Sequence, residues 1–200
     1  MSDYLSLAKR LRELARGYVP DVDRANPLRA LAEYMGVAEY IRLNFICTHI
    51  SRRSHLGQVL AQVLAADANI LHFASYSGGT EATAVHPNAL AALQNLGINI
   101  TKTSSGENPH YQVKTGPLTS EIFSKVFSDE ANPQKEFPAI LVCSSADAEC
   151  PFVPGADRRI SLPFKDPKAS DGTGNEKMVY EQAALEIGAQ LAWAFQSAFG

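Results

Sequence analysis

The segment from Ile41 to Ser54 constrains the fold of this chain more than any other. Ile41-Arg42-Leu43-Asn44-Phe45-Ile46-Cys47 is a largely apolar run that ends on a cysteine. Thr48, His49, Ile50, Ser51 and Arg52 follow, and Arg53-Ser54 stand at the head of a helical pattern. A strand, a short loop and a helix in this order gather the loop amides and the helix N-terminus where a tetrahedral anion can bind. Arg53 can grip two oxygens of that anion as a planar fork. The same positive field predicts a Cys47 thiol shifted below its ordinary range and held as the reactive thiolate. The competing reading of a cysteine at the end of an apolar strand is a buried, inert core thiol.

From Ile41 onward, strand and helix patterns alternate. Leu56, Val59, Leu60, Val63 and Leu64 give the helix after the loop an apolar face. Residues 70–76 read as a short strand broken by Ser77-Gly78-Gly79. His86-Pro87-Asn88 opens a helix carrying Leu90, Leu93 and Leu96, and Gly97 stops it. Residues 101–116 are polar and read as a loop or small hairpin insertion, and 121–127 as a turn or two of helix. Pro138 to Cys143 is a buried strand, Ile160 to Phe164 a last short one, and Glu176 to Phe199 a long helix. This alternation predicts an α/β three-layer sandwich with a central parallel sheet of about four strands. Ligands in such sheets bind at the carboxyl ends of the strands, where Cys47, Cys143 and Asp166 all fall. Ahead of this unit, residues 1–38 read as two helices. Leu5, Leu7, Ala8, Leu11, Leu14 and Ala15 recur at helical spacing, and Asn26-Pro27 reads as the N-cap and first position of the second helix.

Two further runs carry chemistry. Cys143-Ser144-Ser145-Ala146-Asp147-Ala148-Glu149-Cys150-Pro151 follows a strand expected beside the first. Six residues between cysteines is not a usual structural zinc spacing, and no histidine nearby completes a set, so no metal is expected. A redox pair or a buried inert pair remains. If the segment were helical, the two Cα atoms would stand about 10 Å apart at a rise of ~1.5 Å per residue. A disulfide needs about 7 Å or less, so bonding requires a bend. Lys165-Asp166-Pro167 places a carboxylate after the last strand, as a turn or cap residue or as an acid.

Composition narrows the partners. The formal charge of −3, with no long basic run, argues against nucleic acid or an anionic membrane as the main partner. No apolar stretch is long enough to span a bilayer, and the N-terminus lacks a signal-peptide core. A cytoplasmic protein is expected, where thiols stay reduced. Three cysteines, an odd number, do not form a structural disulfide framework.

Cys47 to Ser54 resembles the phosphate-binding loop of the low-molecular-weight tyrosine phosphatase superfamily, which also contains the thioredoxin-coupled arsenate reductases. The resemblance covers roughly residues 40–200. It implies a catalytic domain over 39–200, with 1–38 as a helical extension that caps it. It implies Cys47 as nucleophile, Arg53 as oxyanion clamp, Ser54 as the hydroxyl bonded to the thiolate, and Asp166 as general acid. The loop from Thr48 through His49, Ile50, Ser51 and Arg52 to Arg53 would bind the oxyanion: arsenate, phosphate or sulfate. The pair Cys143 and Cys150, with Pro151 behind it, is similar to the redox pair of the reductases. Lys168-Ala169-Ser170 after the Asp-Pro also looks like the reductases, since the phosphatases tend to carry aromatics there.

The resemblance therefore implies reduction of arsenate to arsenite through a three-cysteine relay, with no organic cofactor and with thioredoxin or a similar reductant. The alternatives are a phosphatase working through a phosphocysteine, with Cys143 and Cys150 guarding Cys47 from oxidation, and a weakly catalytic oxyanion-binding protein. One departure bears on all three. Relatives would carry a small residue at position 49 and a bracing asparagine at position 50, whereas His49 and Ile50 stand here, which predicts a less rigid loop.

Overall fold

The structure is a computed structural model, described over residues 4–145 and 152–200. Cys150, Pro151 and the bend expected between Cys143 and Cys150 lie outside the described residues. The elements run α1 (Tyr4–Arg16), α2 (Val22–Val37), β1 (Ile41–Cys47), α3 (Arg53–Asp67), β2 (Phe73–Gly79) and α4 (Pro87–Asn95). They continue with β3 (Asn99–Lys102), β4 (Tyr111–Thr115), β5 (Leu118–Ile122), β6 (Phe137–Leu141), β7 (Ala156–Ser161), a 3-10 turn (Pro167–Ser170) and α5 (Glu176–Phe199). Four strands form a parallel sheet in the order β2-β1-β6-β7, flanked by helices, which is the expected α/β class. Among the described residues no helix is long and apolar enough to cross a membrane.

β1 is paired on both sides and buried everywhere except at Arg42, so its apolar character is continuous from Phe45 to Cys47. α3 has no solvent face: every residue from Ser54 to Ala66 is buried, and its polar stripe of His55, Gln58 and Gln62 bonds to groups in the loop, β2 and the β4–β5 hairpin. Gly57 permits that closeness, since a Cβ there would come within 2.5 Å of the Phe45 ring. α1 packs on α5 and α3 through Leu7, Ala8, Leu11 and Ala15, and Arg12 pairs with Asp67. α2 turns Leu28, Leu31 and Met35 into the same apolar cluster, each burial stabilising by roughly 1.5–3 kcal/mol.

Four local expectations change. α2 starts at Val22 behind Asp21, whose side chain accepts from the Arg24 amide at 2.9 Å. Asn26 is therefore no cap, and Pro27 sits inside the helix, where it gives up one backbone bond. β2 continues through Ser77-Gly78-Gly79 instead of breaking there, because each is paired in register with Phe45, Ile46 and Cys47. In the 101–127 region the hairpin alternative holds, extended by a third strand, and the helix expected at 121–127 is absent. The region contributes β3, β4 and β5, an antiparallel sheet whose polar strands alternate between half-exposed faces. Finally, β7 begins earlier than expected. Its pairing runs on irregularly beyond Ser161, with the Leu162 amide donating to Leu141 O at 2.9 Å and the Phe164 amide to Val142 O at 3.0 Å. Pro163 between them has no N–H, so the regular ladder stops.

Candidate active site

Cys47 is the last residue of β1 and 4% exposed. The loop beyond it is held by its carbonyls. Thr48 O accepts from the amides of Thr80 and Glu81, both at 3.1 Å, and His49 O accepts from the Thr83 hydroxyl at 2.8 Å. Ile50 O accepts from His55 Nε2 at 3.2 Å and the Ser124 hydroxyl at 3.0 Å, and Ser51 O from the His86 amide at 2.8 Å. Among the described residues the amides from His49 to Arg53 have no protein acceptor. A loop with its carbonyls tied back and its amides free is a ready anion site.

In place of an asparagine at position 50, the bonds to the loop carbonyls come from Thr80, Thr83, Ser124, His55 and His86. Ile50 itself is fully buried at φ 31°, a left-handed conformation that strains a β-branched residue. β2 passes so close that a Cβ on Gly79 would lie 2.5 Å from Cys47 O and 2.9 Å from Ile50 Cβ.

The Cys47 Sγ lies 3.1 Å from Ser54 Oγ. Burial pushes the Cys47 thiol up, the Ser54 hydroxyl and amide pull it down, Cys143 pushes it further up, and Arg53 lowers it least. The net direction is upward, so the expected low-pKa thiolate is overturned. Burial is the main reason, and the Arg53 charge that would oppose it is engaged elsewhere: Nη1 donates to Phe164 O at 2.7 Å and Nη2 to Asp166 Oδ2 at 2.6 Å. Asp166 uses its other oxygen to accept the Lys168 amide at 3.0 Å, capping the 3-10 turn. It is a cap and an Arg53 partner at once.

Cys143 is 2% exposed, and neither it nor Cys47 is in a disulfide. β6 lies beside β1, and the Val142 amide extends their pairing by donating to Ile46 O at 2.9 Å. This carries the Cys143 sulfur to 3.4 Å from the Thr48 amide and 3.6 Å from the Thr48 hydroxyl. Two thiols therefore share one end of the sheet with Arg53 and Asp166.

Other expected loop residues point away. His49 is exposed and faces Glu81 at 3.3 Å. Arg52 donates from Nε to the Tyr180 hydroxyl at 2.7 Å and from Nη2 to Asp171 Oδ2 at 2.9 Å, so its side chain ties the loop to α5. Tyr180 donates to Asp171 Oδ1 at 2.7 Å and stacks on His86, ring centroids 5.6 Å apart. Burial, then the bond to Asp171, pushes the Tyr180 hydroxyl up to about 12. Sequence reasoning missed this cluster, and it missed Arg24. Arg24 bonds Pro163 O and lies 5.0 Å from the centroid of the Phe164 ring, 139 residues downstream of it in the case of Pro163.

The chain is 28% identical over 148 residues to arsenate reductases of Halalkalibacterium halodurans and Bacillus subtilis, a match covering 74% of this chain and 89% of each relative. Among solved structures, a low-molecular-weight phosphotyrosine phosphatase from Vibrio cholerae is 14% identical with a TM-score of 0.50, over 77% of this chain and 93% of that one. A drosophila arginine phosphatase is likewise 14% identical with a TM-score of 0.50, over 78% and 96%. No protein-family model matches the chain. The chain is related in sequence to the arsenate reductases, and its fold is that of the low-molecular-weight phosphatases.

Proposed function

We propose that this chain reduces arsenate to arsenite, with the thiols of Cys47 and Cys143 supplying the two electrons. The observation that carries this reading is the Cys143 sulfur beside Thr48, one residue from Cys47. In phosphoester hydrolysis a thiol at that place takes no part in the bond-making steps and serves only to guard Cys47 from oxidation, whereas in reduction it is the second electron donor.

In this reading the loop amides hold the arsenate and Arg53 clamps it. The Cys47 sulfur attacks arsenic, the As–O bond to one hydroxyl breaks, and that oxygen leaves as water. The proton it needs comes from the Cys47 thiol, which burial keeps protonated, relayed by Asp166. The thiol proton is thus lost only as the arsenic–sulfur bond forms, aided by the Ser54 hydroxyl. Cys143 then attacks the Cys47 sulfur. The S–S bond forms, the As–S bond breaks, and its electron pair stays on arsenic, which leaves as arsenite. Cys150 attacks Cys143 next, frees Cys47, and passes the oxidised pair to a dithiol reductant of the thioredoxin type. Residues 39–200 form the catalytic unit, and 1–38 an extension that braces it.

Phosphoester hydrolysis is the second reading, favoured by one observation: Cys47, Arg53 and Asp166 would be sufficient for it, and they share one site. Arsenate and p-nitrophenyl phosphate turnover, measured side by side with and without a thioredoxin system, tests both. Thioredoxin-dependent arsenate reduction supports the relay. Phosphoester turnover alone, indifferent to thioredoxin, would reject it.

A further inference from the structure

The sheet of β3, β4 and β5 stands against β2 and leaves a cavity of about 270 Å³ between them, which no residue of the Cys47 loop lines. Its walls include Phe73, Tyr76, Phe123, Ser120, Lys125 and Glu121, whose carboxylate is engaged by His110 Nδ1 at 3.0 Å. Lys125 is 4% exposed. Among the described residues its ammonium makes no ion pair and no hydrogen bond, and it lies 4.3 Å from the centroid of the Phe123 ring. The charged groups that face it are Glu121 and Asp129, neither within ion-pair distance, and the buried ring of His55, which is neutral at ordinary pH. Ser120 adds a hydroxyl that is buried with no partner.

A largely buried lysine with no ion-pair partner is costly, and so is a buried hydroxyl without a bond. An anion in the cavity relieves both. The volume is near the low end for ligand pockets, ~300 Å³, and the apolar walls are largely aromatic. Inorganic phosphate would place its charge against those rings with one cation to balance it. A flat ring carrying one carboxylate suits the walls and the charge together. We propose that this cavity binds a small aromatic carboxylate, with its charge on Lys125 and Ser120 and its ring among Phe73, Tyr76 and Phe123. The site does not depend on what the Cys47 loop does. It does adjoin that loop, since Lys125 O accepts the Gly79 amide at 3.2 Å and the neighbouring Ser124 holds Ile50 O.

Benzoate is the probe. Calorimetric titration should show saturable one-to-one binding to the wild type and to Cys47→Ser, and at least tenfold weaker binding to Lys125→Met. Affinity should fall as pH rises past about 8, where the burial-lowered ammonium of Lys125 loses its proton. Benzoate should also slow acetylation of Lys125 in the wild type by acetic anhydride, read by peptide mass, which needs no variant to fold. Absence of saturable binding up to ~10 mM, undiminished binding by folded Lys125→Met, loss of binding in Cys47→Ser, or an unprotected Lys125 would each overturn the proposal.

Discussion

Arg24 in α2 lies over the ring of Phe164, its guanidinium carbon 5.0 Å from the ring centroid, while the Phe164 carbonyl accepts from Arg53 at 2.7 Å. The N-terminal helices thereby reach the site through one aromatic residue. Arg24→Met should cost about 1.5–3 kcal/mol for the lost charged hydrogen bond to Pro163, plus ~0.5–1 kcal/mol for the ring contact. It should also lower kcat, because the stretch that holds Arg53 and Asp166 loosens, and Arg24→Lys should recover part of both. Denaturant midpoints and steady-state kinetics check this. Full turnover by a destabilised Arg24→Met would confine Arg24 to stability alone.

Arg53 serves two acceptors that diverge, Phe164 O and Asp166 Oδ2. A lysine has one point charge and cannot span them. Arg53→Lys should weaken sulfate or arsenate binding and reduce turnover by about 10²-fold or more, the scale for losing a preorganised oxyanion donor. Near-normal anion affinity would mean that the loop amides suffice.

Burial dominates the Cys47 thiol, so its alkylation rate should titrate at or above the ~8.5 of a free cysteine. Ser54→Ala removes a bond that favours the thiolate and should move the titration higher. Iodoacetamide rates against pH, with Cys47→Ser as blank, decide it. A midpoint well below the free value, or a downward move in Ser54→Ala, contradicts the account.

His55 is fully buried, and burial followed by the charge of Lys125 pushes its ring down to about 3, against the opposing bond to Ile50 O. The folded value lies below the unfolded one, ~6.5, so the unfolded chain takes up the proton first as pH falls. Stability from this group is complete above about 6.5 and drains away toward pH 3, at up to ~1.4 kcal/mol per pH unit. His55→Gln keeps an amide donor for Ile50 O and removes the titration. Its urea midpoints should fall less steeply than wild type between pH 6.5 and 4, and an unchanged slope would assign the acid sensitivity to other groups.

The parallel sheet was legible in the sequence chiefly through β1 and β6, which are buried along nearly their whole length, whereas β7, with Asp157, Arg158 and Arg159 exposed, was placed too late. The clustering of Cys47, Cys143 and Asp166 was legible for a related reason, since all three follow strands that end at the same edge. β3, β4 and β5 were not, because strands such as Asn99–Lys102 are short, polar and half-exposed. Thr83, Ser124, His86 and Arg24 carry no periodic signal either. Their partners are settled only by tertiary packing, and so the brace under Ile50 could not be read from the loop itself. The Cys47 thiol was misjudged for the same reason: the motif displays its nearby charge and conceals its burial.

The account rests most on the passage of electrons from Cys47 to Cys143. The direct measurement is peptide mapping of Cys150→Ser after mixing with one equivalent of arsenate and no reductant, beside Cys143→Ser treated alike. Cys150→Ser should release about one arsenite per chain and then stall with a Cys47–Cys143 disulfide. Cys143→Ser should release none, while both variants keep whatever phosphoester hydrolysis the wild type has. Sustained arsenate reduction by Cys143→Ser, or arsenite release without that disulfide, would contradict the relay.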